Sequence, residues 1–325
     1  MTLLGRHLTG MLLGGVMVVT AAGAHAQTVL RLAENQPDSA PITIAMRHFA
    51  DLVAEYSDGA VKVEVFSGGQ LGQENETIEQ AQVGIVDLTR VNSVALTNIS
   101  PSMTVFTLPY IFGSSDHKYA VLDGEIGDEV RADLGDIGLV GFDFLEAGTR
   151  HFYTRDGVPL TRIEDLQGKK IRVQNAPIAM RTVELLGAVP TPMNFGEVFS
   201  SLQSGIIDGA ENDFVSFETA AHQEISKTLI TDGHVSAPAI LLMNKFRFDG
   251  LPEEQQQAIT RAAHEAAIYE RDLMFTANKD ARQRIVAAGV TVTEVDDAPF
   301  RQAVQPIYAE YPELAEMIGR IEALR

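Results

Sequence analysis

The sequence predicts an α/β protein built on a mostly parallel sheet and divided into two lobes. Residues 29–91 read in the order β-α-β-α-β, and residues 165–210 form a second α/β unit. Such alternation builds parallel sheets with right-handed crossovers. The chain has 325 residues, and the roughly 300 left after an export signal exceed what one core usually organises.

Each element follows from its pattern. Residues 29–33 read as a strand, and residues 42–56 as an amphipathic helix with Ile42, Met46, Phe49, Ala50 and Val53 spaced at three and four. Residues 61–66 alternate valine or phenylalanine with Lys62 and Glu64, which is strand periodicity. After the Gly68-Gly69 turn, a helix over about 74–83 opens with acids suited to its positive end, and a strand follows over 86–91. Residues 116–134 read as one helix, and residues 138–145 as a strand leading into Arg150.

In the second unit a short apolar strand surrounds Arg172, a helical run ends at Gly187, and Pro190-Thr191-Pro192 is extended. Asn194 with Glu197 forms a capping box for the helix carrying Val198, Phe199 and Leu202, which Gly205 stops before the Asp208-Gly209 turn. Residues 252–288 form one long helical pattern without an interior proline. No internal repeat, low-complexity tract or proline-rich linker marks a domain boundary.

The amino end reads as a cleaved export signal. Residues 1–7 carry one arginine and no acid, residues 8–22 are apolar or small apart from two threonines, and Ala24-His25-Ala26 supplies the small-x-small pattern before Gln27. That run is too short and glycine-rich for a membrane span, and no later stretch approaches about 18 apolar residues. Cysteine is absent, which excludes disulfides, thiolate metal sites and a lipidated junction. A freely diffusing periplasmic protein of a Gram-negative bacterium is expected. Removal of the signal leaves 24 basic against 44 acidic side chains, a net charge of −20, so nucleic acid and anionic membranes are poor partners. A few converging arginines can still dominate a cleft, because distant exposed charges are screened.

Catalytic signatures are lacking. There is no G-x-S-x-G and no cysteine nucleophile, and His264-Glu265 has no second histidine at zinc spacing. No two of the eight histidines fall within four positions of one another, and the GGQLG loop has no Lys-Ser/Thr to complete a phosphate cradle. No enzyme activity, cofactor or metal is expected. His151 and His234 are expected to be structural, and a catalytic reading survives only if distant acids converge.

Arg172 is the most informative single residue. Ile171 and Val173 beside it suit burial in a parallel strand, and ligands of open α/β sheets gather outside the carboxyl ends of such strands. An arginine there must find an anion or stay in water, and its planar fork matches a carboxylate, each charge-assisted bond contributing about 1.5–3 kcal/mol. Taken singly, such an arginine more often pairs with a nearby acidic side chain.

The surrounding strings change that balance. GTRHFYT (148–154), KKIRVQNA (169–176) and LGAVPTPMNFGEVFSSLQSGIIDGAEN (186–212), with SGGQLGQENETIEQAQVGIVDL (67–88) and TLPYIF (107–112), resemble the C4-dicarboxylate-binding type of TRAP transporter solute-binding protein. The resemblance runs from Leu30 to the C-terminus. It implies a two-lobed periplasmic binding protein, type II-like, with a cleft between the lobes and a long helix spanning both. Residues 27–147 plus 236–275 would form lobe one and 148–235 plus 276–325 lobe two, hinged near 147, 235 and 275.

The same resemblance implies the site. Arg172 matches the main carboxylate clamp, Arg150 a reinforcing arginine, Asn212 an asparagine whose amide reaches the carboxylate, and Phe195 an aromatic packed on the ligand. On the opposite lobe Asn35, Glu74, Arg90 and Asn92 sit at loop or element ends that face the cleft, where they would bind hydroxyls or a second acidic group. Glu74 alone reads equally as a helix-dipole residue. Asn92 departs from the acid that some sialic-acid binders carry there, which weighs against sialic acid. Several polar groups beside one clamp suit a sugar acid, a uronate or aldonate, although Arg90 could equally hold the far carboxylate of succinate or malate.

Implied partners are a small-molecule carboxylate and the small and large TRAP membrane subunits, with the protein a monomer. Two other roles remain open: a binding protein for an ABC transporter or chemoreceptor, and a periplasmic enzyme acting on a sugar acid.

Overall fold

A computed structural model describes residues 27–325, so the export signal and its cleavage site lie outside the described residues. The chain begins β1 (Thr28–Ala33), α1 (Pro41–Tyr56), β2 (Val61–Phe66), α2 (Glu74–Gln82), β3 (Leu88–Asn92), α3 (Ser93–Leu96), α4 (Ser115–Leu122), α5 (Glu125–Asp133) and β4 (Leu139–Leu145). It continues through β5 (His151–Arg155), β6 (Lys170–Val173), α6 (Pro177–Leu185), β7 (Val189–Pro192), α7 (Val198–Ser204), β8 (Gly209–Asn212), α8 (Phe214–Thr219) and β9 (Ser226–Ile230). Last come β10 (Ala239–Asn244), α9 (Lys245–Asp249), α10 (Glu253–Ala287), β11 (Thr291–Thr293), α11 (Ala298–Val304) and α12 (Ala315–Glu322).

These strands form two sheets, ordered β2-β1-β3-β10-β4 and β11-β9-β5-β8-β6-β7. In the first, β2, β1 and β3 are parallel, as their helical crossovers require, whereas β10 runs antiparallel between β3 and β4. All six residues of β10 are buried, so it shows no two-residue alternation, and the sequence pattern does not single it out. In the second sheet β6 lies parallel to β7 and β8, and β5 runs antiparallel to β8 and β9. Each sheet therefore mixes directions at the strand that enters it from the other lobe, β10 in the first and β5 in the second.

The single helix expected over 116–134 is two. Gly124 is extended (φ −100°, ψ −169°), and a Cβ at Gly127 would lie 1.9 Å from the Leu122 carbonyl oxygen. The turn between α4 and α5 is thus possible only because residue 127 has no side chain.

Apolar burial holds the lobes. Ile42, Met46, Phe49 and Val53 of α1 close over Leu30 and Leu32 of β1, each fully buried side chain contributing roughly 1.5–3 kcal/mol. The alanine-rich first half of α10 (Ile259, Ala262, Ala263, Ala266 and Ala267) packs into that same core. Farther along, Met274 and Ala281 pack with Val215 of α8, and Ile285 joins Tyr153 and Leu229 in the second sheet's core. One 35-residue helix consequently serves both lobes.

The carboxyl-terminal segment divides its contacts as well. Phe300 and Val304 bury with Phe152 and Ile171, whereas Ile307, Leu314, Ile318 and Ile321 pack with Val121, Leu122 and Ile126 of α4 and α5. Grouping all of 276–325 with the second sheet does not describe this return. The cause is the apolar stripe of α12, which finds its complement on α4 and α5.

Candidate functional site

The carboxyl ends of β1, β3, β6 and β8 converge between the sheets. Arg172 lies on β6, Asn212 ends β8, and Arg150 is held in place by an isolated antiparallel bridge to Val235. Across the gap, Asn35 follows β1, Arg90 and Asn92 belong to β3, and Glu74 opens α2. These seven residues and Phe195 line one narrow cavity of about 50 Å³, together with Gln36, Glu146, Gln174, Ser216 and Met274. A hydrogen bond joins its two walls from Gln174 Nε2 to Glu74 Oε2 (3.3 Å), and outside its lining Asn98 Nδ2 donates to the Asn175 carbonyl (2.9 Å). The two lobes are thus bridged beside the cavity.

The three buried arginines differ in what neutralises them. Arg90, 3% exposed, donates Nε to Glu34 Oε2 at 2.7 Å and Nη2 to Glu34 Oε1, and its Nη1 lies 3.4 Å from Glu74. Arg150, 5% exposed, forks onto the Glu211 carboxylate and also donates to Asn212 Oδ1 and the Glu211 carbonyl, each at 2.8 Å. Arg172, 3% exposed, donates Nε and Nη2 only to the Met193 carbonyl, at 3.0 and 2.8 Å. Among the described residues no carboxylate lies within 4.0 Å of it.

That difference appears in their proton affinities. Burial opposes the charge of all three, but Glu34 and Glu211 reverse the effect for Arg90 and Arg150, whereas burial still holds Arg172 below the usual guanidinium value. An unneutralised cation at the edge of a cavity is the chemical signature of an anion site.

The polar neighbours complement it. Asn212 Oδ1 accepts from Arg150 and from the Asp213 amide, which leaves its Nδ2 donors for the cavity. Asn35 Oδ1 accepts from Arg90, and Asn92 Oδ1 caps α3 through the Val94 amide (3.0 Å), so both amides likewise retain N–H donors. Glu74 is more than a helix-dipole residue, since it also accepts from the Asn92 amide at 2.8 Å. Phe195 is half-buried, with its ring 5.8 Å from that of His222.

Behind Arg150 stands a charge relay that the sequence pattern does not reveal. Asp232 Oδ2 lies 2.6 Å from His234 Nδ1, and His234 Nε2 lies 3.6 Å from Glu211. Burial disfavours the charged imidazole, but the two carboxylates outweigh it and push His234 up to about 9. Burial likewise opposes the Glu211 carboxylate, yet Arg150 and His234 hold it down to about 2. His151, by contrast, is pushed down to about 4 by burial. These histidines support the site without lining its cavity.

A raised folded-state value means that His234 contributes its full stability below its unfolded value of about 6.5 and loses it as pH rises through about 9. Urea unfolding should therefore give a stability that falls between pH 6.5 and 9. His234→Gln should reduce that slope and leave the part due to the Glu270 carboxyl, which burial pushes up to about 8, and a flat wild-type profile would contradict the charged imidazole.

Glu34, Gln174, Glu211 and Asp232 carry no signal in the sequence pattern, and His234, expected there to be structural, gains its charge only from Asp232 and Glu211. Glu34 and Glu211 each sit one residue before a singled-out asparagine, a position at which alternation would have turned them away from the ligand side. Among the described residues no group of three or more His, Cys, Asp or Glu could hold a metal, and no helix is long and apolar enough to cross a membrane.

A bridged cleft between two α/β lobes, with an unneutralised guanidinium at the strand ends, defines a binding protein for small organic anions. Residues 32–314 match the model of bacterial extracellular solute-binding protein, family 7, and the chain belongs to that family, the periplasmic solute-binding proteins of TRAP transporters. It is 41% identical to a TRAP periplasmic solute-binding protein from Xanthobacter autotrophicus Py2, solved with bound β-D-galacturonate, with a TM-score of 0.88 over 91% of this chain and 100% of that one. A TRAP protein from Pseudomonas putida F1, solved with bound D-glucuronate, is 34% identical with a TM-score of 0.88, covering 91% and 97% of the two chains. The 2,3-diketo-L-gulonate-binding periplasmic protein of Escherichia coli K12 is 32% identical over 262 residues, 80% of each chain.

Proposed function

We propose that this protein captures a hexuronate in the periplasm, with glucuronate and galacturonate as the leading ligands, and delivers it unchanged to the small and large TRAP membrane subunits. The observation that carries this reading is Arg172, buried at the cavity without a carboxylate partner among the described residues. A ligand carboxylate would supply the missing charge. Arg172 and the Nδ2 of Asn212 would hold it, with Arg150 fixed beside them by Glu211 and Phe195 against the sugar ring. The opposite wall favours hydroxyls over a second carboxylate, because Arg90 is already forked onto Glu34. Asn35, Asn92 and Glu74 present there the mixed donors and acceptors that sugar hydroxyls pair with, and each such group left unpaired in a buried site costs about 1–3 kcal/mol. The uronates bound in similar TRAP proteins support the same class.

Capture would proceed by closure. The open cleft admits the anion, and contacts made to both lobes at once stabilise the closed arrangement, hinged near residues 147, 235 and 275. Cleavage after Ala26 would release the chain as a monomer. A micromolar to nanomolar affinity corresponds to about −8 to −12 kcal/mol.

A thermal-shift screen of the mature chain against uronates, aldonates, C4-dicarboxylates, keto acids and amino acids tests the assignment. Uronates are expected to raise the midpoint most, since ligand at about 100 times its Kd adds about 2.7 kcal/mol. A larger shift with succinate or malate would overturn the uronate reading, and turnover of the bound acid would overturn the binding-protein role.

A further inference from the structure

Most charged groups around the cleft cancel in pairs. Glu34 takes the fork of Arg90 and Glu211 that of Arg150, while Lys118 Nζ donates to Glu146 at 2.7 Å and Asp232 stands 2.6 Å from the His234 imidazole. Glu270, which accepts the Glu146 amide, has a carboxyl that burial pushes up to about 8, so it is mostly neutral at neutral pH. Asp213 caps α8 outside the lining. Two lining residues are left over, Arg172 on the second lobe and Glu74 on the first.

Glu74 has no cation of its own. Among the described residues its only ion-pair partner is Arg90, whose Nη1 stands 3.4 Å away while Nε and Nη2 are given to Glu34. The other donors to its carboxylate are neutral: Oε1 accepts from the Asn92 amide at 2.8 Å, and Oε2 from Gln174 Nε2 at 3.3 Å. One guanidinium thus serves two carboxylates, and the wall facing Arg172 keeps a net negative charge. A cleft with one free positive end and one free negative end discriminates among acids. It takes a carboxylate at Arg172 and offers a hydroxyl an acceptor at Glu74. An acid with a carboxylate at both ends brings its second charge against Glu74, with no free cation there to receive it. Repulsion aimed at the near-miss ligand discriminates as effectively as added contacts to the correct one.

We propose that Glu74 is a charge filter that restricts the site to monoacids: it rejects hexarates, which differ from hexuronates by oxidation of the aldehyde carbon to a second carboxylate. The inference rests on the uronate-capture reading and adds to it the class of acid that the site excludes.

Calorimetry with D-glucuronate and D-glucarate at neutral pH tests the filter, and the quantity read is the ratio of the two Kd values. The wild type should bind D-glucuronate at least about 100-fold more tightly than D-glucarate. Glu74→Gln should cut that ratio about 10- to 100-fold, because glucuronate loses a hydroxyl acceptor while glucarate loses a repulsion. Glu74→Asp keeps the charge and should hold the ratio within about 3-fold of the wild type, which a role in shape alone would not predict. Circular dichroism identifies a variant that fails to fold, and Glu74→Thr, which should move the ratio in the same direction as Glu74→Gln, then replaces it. A ratio unchanged in a folded neutral variant, or one that falls as far in Glu74→Asp as in Glu74→Gln, would overturn the filter while leaving uronate capture intact. Failure of the wild type to bind D-glucuronate would overturn the proposed function and the filter with it.

Discussion

Arg172→Lys is expected to weaken binding of D-glucuronate about 30- to 900-fold, a loss of about 2–4 kcal/mol, while leaving the unfolding midpoint of the free protein nearly unchanged. The large effect follows from geometry. A guanidinium whose Nε and Nη2 are anchored on the Met193 carbonyl still offers its remaining donors in a fixed plane, whereas an ammonium on a flexible stem can neither keep that anchor nor meet a carboxylate bidentately. The small effect follows from energetics. Arg172 has no carboxylate partner to lose, and a buried lysine can shed its proton where an arginine cannot. Titration calorimetry and thermal unfolding measure the two quantities separately. Wild-type affinity in the lysine variant would remove the clamp from Arg172.

Glu211→Gln should do the reverse, acting mainly on the fold. The Glu211 carboxylate takes the fork of Arg150 and lies 3.6 Å from His234, and all three groups are buried. Removing the shared anion leaves two buried cations facing each other with Arg172 nearby. Breaking a buried pair from one side costs about 3–5 kcal/mol, because the remaining charge stays desolvated. Urea unfolding at neutral pH should register that loss. The His234 imidazole should also titrate at lower pH, since one of the carboxylates that raises it is gone. A stability within about 1 kcal/mol of the wild type would mean that solvation and Asp213, rather than Glu211, offset the charge of Arg150.

The two buried arginines of the second lobe thus perform separable tasks. Arg150 is neutralised within the fold by Glu211, while Arg172 has only the Met193 carbonyl and, on the proposed reading, is the one that meets the ligand. Both are arginines on or beside strands, and composition does not distinguish them.

What the sequence alone determined is what depends on local pattern. The periodicity of residues 29–91 specified the alternation β1-α1-β2-α2-β3 and its parallel character, the Asn194-Glu197 box and Gly205 marked the ends of the turn-and-helix segment carrying α7, and an uninterrupted run without proline marked α10. The eight residues singled out for the cleft all border one cavity, because each lies at a strand or helix end where an α/β lobe presents its ligand face. Only the tertiary structure decided which charges are already satisfied. The partners of Arg90 and Arg150 stand 56 and 61 residues away in sequence, and the helix expected over 116–134 broke after Leu122, in a turn that Gly127 of α5 permits by lacking a side chain against the Leu122 carbonyl. Periodicity reports which face of an element is apolar, whereas neutralisation depends on which side chains meet across the assembled sheets.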